Sequence, residues 1–205
     1  MKWQADVDLA LPGVLAAARE PGVELHTFGG YFGEHLQEKK GPIDRPQMVA
    51  GLPYHYHALT QYYAYQRDAG ILDIAAVPLR PDLAFNRGRS GQKWMEMALH
   101  STATVLQRLE PYWQAEEEVT CLKADAPDEW QDQLLRLVRD PVLRRRIGES
   151  ARAVVLAGHT LEARRPLWEA LVTEVSDRWL TAPEKRHDPL EDIVTESNNA
   201  PEVSG

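Results

Sequence analysis

Two short apolar runs, LDIAAVPL (72–79) and TATVLQ (102–107), bracket the densest polar chemistry in the chain. Both runs are too short for buried helices, and their Val, Ile and Ala content suits strands of a parallel sheet. Between them, RPDLAFNRGRS reads as a loop and GQKWMEMALHS as a helix. A strand that delivers a loop to a helix N-terminus is where open α/β sheets take anionic ligands. Ser90 is the predicted N-cap, with Gly88 loosening the turn before it. At about 100° per residue, Arg89, Lys93 and Glu96 fall on one stripe that His100 extends, while Trp94, Met97, Ala98 and Ser101 form the core side. Two cations then stand near a helix start, with a carboxylate one to two turns on. From spacing alone, the favoured reading is a solvated Arg/Lys/Glu face with an i, i+3 ion pair between Lys93 and Glu96.

The same patterning places the other elements. Residues 1–20 enter an amphipathic helix almost at once, with Leu9, Val14, Leu15 and Ala18 as core positions and no apolar strand or glycine-rich turn ahead of it. VELHTFG reads as a strand ending at Gly29 and Gly30, and residues 29–46 as a polar, turn-rich loop. QMVAGLP reads as a short strand. PYHYHALTQYYAYQRDAG reads as a helix that buries Ala58, Leu59, Tyr62 and Tyr65 in part and stops at Gly70. His55 and His57, with His35 upstream, raise the question of a metal. An i, i+2 pair fits neither the helical i, i+4 spacing nor a complete ligand set, so these read as hydrogen-bonded surface histidines. VTCLKA is a final edge strand. Pro127, flanked by Asp125 and Asp128, starts a helix with Trp130, Leu134, Leu137 and Val138 inward. Asp140-Pro141 caps the next, running to about Leu156, whose Arg144, Arg145 and Arg146 read as a solvated face. Gly158 breaks the chain before a last helix that carries Pro166.

Composition narrows the function. The chain has 205 residues, enough for one core of good size, and 43% hydrophobic residues. A net charge of −8 without a basic stripe argues against nucleic acid as a partner. One cysteine, Cys121, excludes an intrachain disulfide framework and fits a reducing compartment. No signal peptide or long apolar run is evident, so the expectation is a cytoplasmic protein without a transmembrane segment. Walker, GxGxxG, GxSxG and CxxC motifs do not occur. From Thr181 the composition turns polar and acidic. The expected organisation is a Rossmann-like domain over 1–180 and a disordered tail over 181–205.

FNRGRSGQKWMEMAL resembles the FNRxKSxxKxxEyaAL segment in the nucleotide-sugar-binding half of GT-B glycosyltransferases related to glycosyltransferase family four. LDIAAVPL is similar to that family's preceding DIaiaPL strand, and EPGVELHTFG to the second strand of the same domain. Residues 125–172 resemble its C-terminal run of helices, so the likeness covers roughly residues 6 to 175. It implies an α/β fold: one half of a GT-B enzyme, a three-layer Rossmann-like lobe with a mostly parallel sheet. The family's first strand, its phosphate loop and its whole acceptor-binding domain have no counterpart here, so the chain is expected to be half an enzyme.

The resemblance also assigns roles. Glu96 corresponds to the carboxylate that binds donor ribose hydroxyls, and Arg89, Ser90 and Lys93 to positions near the phosphates. Asn86 of the same motif, and Glu110, whose Glu110-Pro111-Tyr112 resembles the family's GPY, complete the candidate donor-binding set. Two positions depart from the pattern: Gly88 stands where many relatives have a second Glu, and His100 where a small Gly is usual.

The implied activity is transfer of a glycosyl group from a nucleotide-diphosphate sugar to an acceptor hydroxyl, with no cofactor and no metal. The expected partners are the nucleotide sugar and either an acceptor-domain protein or a second copy of the chain. The alternative is a non-catalytic remnant that serves as a nucleotide-binding or protein-interaction module. A receiver-like regulator fits poorly, because Asp73 begins its strand rather than ending it.

Overall fold

The computed structural model describes residues 3–28, 49–58 and 61–181. The element order is α1 (Trp3–Ala17), β1 (Leu25–Phe28), β2 (Tyr54–His57), α2 (Tyr62–Ala69), β3 (Ile74–Val77), α3 (Ala84–Arg87), α4 (Gln92–Leu99), β4 (Ala103–Gln107), a 3-10 turn (Glu110–Tyr112), β5 (Leu122–Ala124), α5 (Pro127–Arg139), α6 (Pro141–Gly158) and α7 (Leu161–Thr181). The chain forms two compact units, residues 1–163 and 164–205, and α7 lies mostly in the second. No helix among the described residues is long and apolar enough to cross a membrane. The loop expected after Phe28 with its His35, Leu59, and residues 182–205 lie outside the described residues.

All described strand pairs are parallel, as the short apolar runs require, but they form two sheets rather than one: β1–β2, and β3–β4–β5. In a doubly wound sheet with strand order 3-2-1-4-5-6, the first strand separates these two groups. β4 is buried along its whole length, with helices on both sides. One face packs Ala103 and Val105 with Ala10 and Ala17 of α1 and with Trp130, Leu134 and Leu137 of α5. The opposite face packs Leu106 and Val77 with Trp94 and Ala98 of α4 and with Ala151 and Val155 of α6. Trp94 and Trp130 are fully enclosed, and each such side chain stabilises the fold by about 3 kcal/mol.

Helix boundaries follow local chemistry. Asp140 caps α6 by accepting from the Val142 and Leu143 N–H groups, as its place before Pro141 predicts. Arg144 is not part of a solvated face: its guanidinium donates to the Leu137 and Val138 carbonyls and so covers the C-terminus of α5. α4 ends in a Schellman turn, with Ser101 N–H donating to Ala98 O and Thr102 N–H to Met97 O. Ser101 takes the left-handed position with φ of 58°. A serine there costs about 1 kcal/mol relative to glycine, so Ser101→Gly is expected to stabilise the protein by ~0.5–1 kcal/mol in urea denaturation.

The stretch PYHYHALT departs from expectation. Tyr54–His57 is a strand rather than the start of a helix, α2 begins only at Tyr62, and the preceding Val49–Leu52 is a turn rather than a strand. Alternation decides it, because Leu25 and Tyr54 pack towards Leu11 and Leu15 of α1 on one side of β1–β2.

Candidate functional site

The loops after β3 and β4 carry most of the expected site residues. They are tied to α1 by Asp6, a buried carboxylate that sequence reasoning did not single out. Asp6 Oδ1 accepts from the Arg80 N–H and from Asn86 Nδ2, each at 2.8 Å. Asn86 Nδ2 also donates to Arg80 O at 3.1 Å, so both its amide hydrogens are spent within the protein. Asn86 therefore holds the loop in shape and has no amide hydrogen left for a ligand.

Gly91, not Ser90, is the N-cap of α4, and no side chain caps this end. Arg89 consequently lies in the turn before the helix rather than on its stripe, because α3 (Ala84–Arg87) is a separate short helix and the Arg89 N–H closes a turn onto Asn86 O. The turn is seated tightly: a Cβ at Gly91 would meet Pro111 O at 2.6 Å. Arg89 and Ser90 are both exposed. The uncapped first N–H groups of α4, with a guanidinium and a hydroxyl beside them, make an anion-binding arrangement. Tyr112 is buried nearby, and burial pushes its hydroxyl up to about 12, with the Arg89 cation acting against that and the Asp6 carboxylate adding to it.

One turn into α4, Glu96 is buried, with its side chain only 6% exposed. It accepts from Gln92 Nε2 at 2.8 Å and from Lys93 Nζ at 2.5 Å. The i, i+3 ion pair thus exists, but its acid is enclosed rather than solvated. Lys93 Nζ also donates to the Tyr65 hydroxyl at 3.0 Å and sits 4.6 Å from that ring's centre. Burial draws the Lys93 ammonium down, but its hydrogen bonds to Glu96 and Tyr65 outweigh this and hold it above the ordinary lysine range. The Tyr62 hydroxyl is raised by burial and then by the adjacent Glu96 carboxylate. His100 is turned away from this group, its Nε2 lying 3.2 Å from Gln66 Oε1.

Glu110 stands apart from Glu96. It accepts from Arg87 Nη1 at 2.5 Å across the two loops. A cleft of about 410 Å³ opens beside this pair, lined by Pro81, Arg87, Arg108, Glu110, Trp113 and Lys123 among others. Arg89, Lys93 and Glu96 do not line it. Nothing in the local pattern points to Arg108, which reaches Glu117, Asp125 and Glu129 and thereby joins the ends of β4, β5 and α5. Cys121 is fully buried, and burial raises its thiol to about 12, so it is no nucleophile.

A second polar group lies on the β1–β2 sheet. His57 stacks on Phe28 at 4.4 Å, and Phe28 meets the edge of Tyr65, the same ring that carries Lys93.

A family model described as glycosyl transferase-like matches residues 13–171. The structure resembles a point mutant of S. aureus TarM, solved in complex with fondaparinux, alpha-GlcNAc-glycerol and UDP. The TM-score is 0.57 at 14% identity, over 80% of this chain and 32% of that one. It also resembles Anabaena Alr3699/HepE in complex with UDP and glucose, with a TM-score of 0.60 at 14% identity, over 84% of this chain and 45% of that one. No curated protein matches the chain in sequence. At this identity the likeness establishes the fold, and the chain spans less than half the length of either neighbour.

Proposed function

Because the chain belongs to the glycosyl transferase-like family, we propose that it is the donor-binding half of a GT-B glycosyltransferase, holding a uridine-diphosphate sugar at the start of α4. The observation that carries this reading is the uncapped N-terminus of α4, flanked by Arg89 and Ser90, with the enclosed Glu96 carboxylate one turn further in. In this reading the diphosphate lies on the free N–H groups and Arg89, and Lys93 contributes positive charge between phosphate and ribose. Glu96 takes the ribose. A carboxylate offers about four acceptor sites, and Gln92 and Lys93 occupy one on each oxygen. A vicinal pair of hydroxyls can take the others by displacing the hydroxyl of half-exposed Tyr62.

Chemically, the bond between the anomeric carbon and the diphosphate oxygen breaks while an acceptor hydroxyl attacks that carbon. The chain's own contribution is electrostatic: Arg89, Lys93 and the helix N-terminus stabilise the charge that grows on the departing diphosphate. This requires no metal at the diphosphate. The acceptor, and any base that takes its proton, belong to a second lobe. The departures at Gly88 and His100 from the family pattern favour a second reading, a family remnant that binds a nucleotide without catalysing transfer.

Calorimetric titration of the full chain with UDP, UDP-glucose and uridine tests the donor reading. UDP and UDP-glucose are expected to bind with millimolar or tighter affinity, and uridine far more weakly. Arg89→Ala should weaken UDP about tenfold, the worth of one hydrogen bond to a charged group. The effect should shrink with salt, because the guanidinium is exposed. Absence of saturable binding by uridine or guanosine diphosphates at ~10 mM, an affinity no better than about 3 kcal/mol, would sink the reading. Transfer to an acceptor by this chain, alone or with a second lobe added, separates enzyme from remnant.

A further inference from the structure

His26 on β1 lies opposite His55 on β2 in parallel register. Side chains alternate across a sheet, so His26 shares a face with His55 and His57 of the other strand, and Glu24, the residue before β1, reaches the same histidines. Leu25 and Tyr54 point the opposite way, towards α1. The i, i+2 histidine spacing that fits no helical ligand pair is therefore the spacing that puts two imidazoles side by side on a strand.

The donor atoms converge. Glu24 Oε2 is 3.5 Å from His26 Nε2 and 3.3 Å from His55 Nε2. All three ligand atoms lie within 4.8 Å of one another. Donors bound tetrahedrally to Zn²⁺ at 2.0–2.1 Å stand roughly 3.3 Å apart, close to the two carboxylate–imidazole separations. The other nitrogen of His26, Nδ1, is 3.0 Å from His57 Nε2. A metal-binding imidazole commonly donates its second N–H to a neighbour, which fixes its tautomer. With His57 as acceptor, the His26 proton sits on Nδ1 and the Nε2 lone pair is directed at Glu24. His57 is itself held by its stack on Phe28, and the His26 and His55 rings stack at 4.6 Å.

We propose that Glu24, His26 and His55 form a binding site for a divalent cation of the zinc type, with His57 as the positioning residue behind His26. Two imidazoles and one carboxylate suit Zn²⁺ and Co²⁺ rather than the oxygen-seeking Mg²⁺ and Ca²⁺. The ligands come from both strands, so the cation cross-links β1 to β2 in a sheet that has only these two strands among the described residues. The site is independent of the donor reading and uses none of its residues.

The test is titration of the untagged full chain, stripped with a chelator, with ZnSO₄ and separately with CoCl₂. One Zn²⁺ per chain is expected at micromolar or tighter affinity, a rise in Tm on loading, and the intense visible absorption of four-coordinate Co²⁺, none of it displaced by millimolar Mg²⁺. Glu24→Gln and His55→Ala alter exposed side chains, so the fold should persist while Zn²⁺ binding falls at least tenfold. His57→Phe, behind the ligand, is expected to weaken binding about tenfold while keeping one ion per chain. Zn²⁺ binding undiminished in a His26→Ala/His55→Ala chain would place the ion elsewhere and overturn the proposal. So would a wild-type affinity weaker than ~100 µM, because three preorganised ligands hold Zn²⁺ better than that; Glu24 would then serve only as an ion-pair partner of the histidines.

Discussion

Gly148→Ala is expected to destabilise the protein by about 3 kcal/mol, the upper part of the usual range for forcing one extra carbon into a packed interior. For a chain of this length that corresponds to a fall in Tm of roughly 6–12 °C. A Cβ on Gly148 would fall inside the carbonyl oxygen of Ser101, so α6 touches the turn after α4 backbone to backbone. Neither side can retreat cheaply. Ser101 and Thr102 are fixed by their bonds to Ala98 O and Met97 O, and the Thr102 hydroxyl donates to Leu72 O at 2.8 Å. Ile147, Ala151 and Val155 hold α6 in the core around it. Gly158, with open space around its Cβ position, is the control: Gly158→Ala should leave Tm unchanged or raise it. Equal Tm values for Gly148→Ala and wild type would mean that α4 and α6 are not in this close contact.

That contact is not legible in the sequence, whereas the helices that make it are. Pro127 and Asp140-Pro141 announce α5 and α6 through short-range chemistry, a fixed φ and a side-chain cap. The buried strands β3 and β4 are equally plain, being short runs of small and branched residues. β2 reads as helix because YHYH is amphipathic at every position, and the helical spacing of the following alanine and tyrosines extends back over it. That reading hides the histidine face, since the ligand spacing of a strand is not that of a helix. Glu96 and Lys93 are visible because they lie three residues apart on one helix. Asp6 is not, because its partner Asn86 is 80 positions away and only the fold joins them. The Arg108 clamp and the cleft beside Glu110 likewise gather residues from separate loops.

For the donor site, the largest effect is expected at Glu96. If the carboxylate receives both ribose hydroxyls, Glu96→Ala should weaken UDP at least 100-fold, since each hydrogen bond to a charged group contributes about 1.5–3 kcal/mol. Loss of affinity alone does not prove contact, because the substitution also leaves the Lys93 ammonium and the Gln92 amide without their partner. Lys93 is 45% exposed, so water can replace the carboxylate there and the fold should survive. The decisive measurement is a cycle over ligand and protein. Wild type should prefer UDP over its 2′-deoxy analogue by about tenfold or more, the value of one such hydrogen bond. Glu96→Ala should bind the two alike, and Glu96→Gln, which keeps the shape but loses the charge, should fall between. A preference that persists unchanged in Glu96→Ala would show that the carboxylate only braces Lys93 and Gln92 and that the ribose lies elsewhere. Equal affinities in the variant alone would put the hydroxyl on Glu96 and fix the orientation of the nucleotide, with its diphosphate towards Arg89 and Ser90.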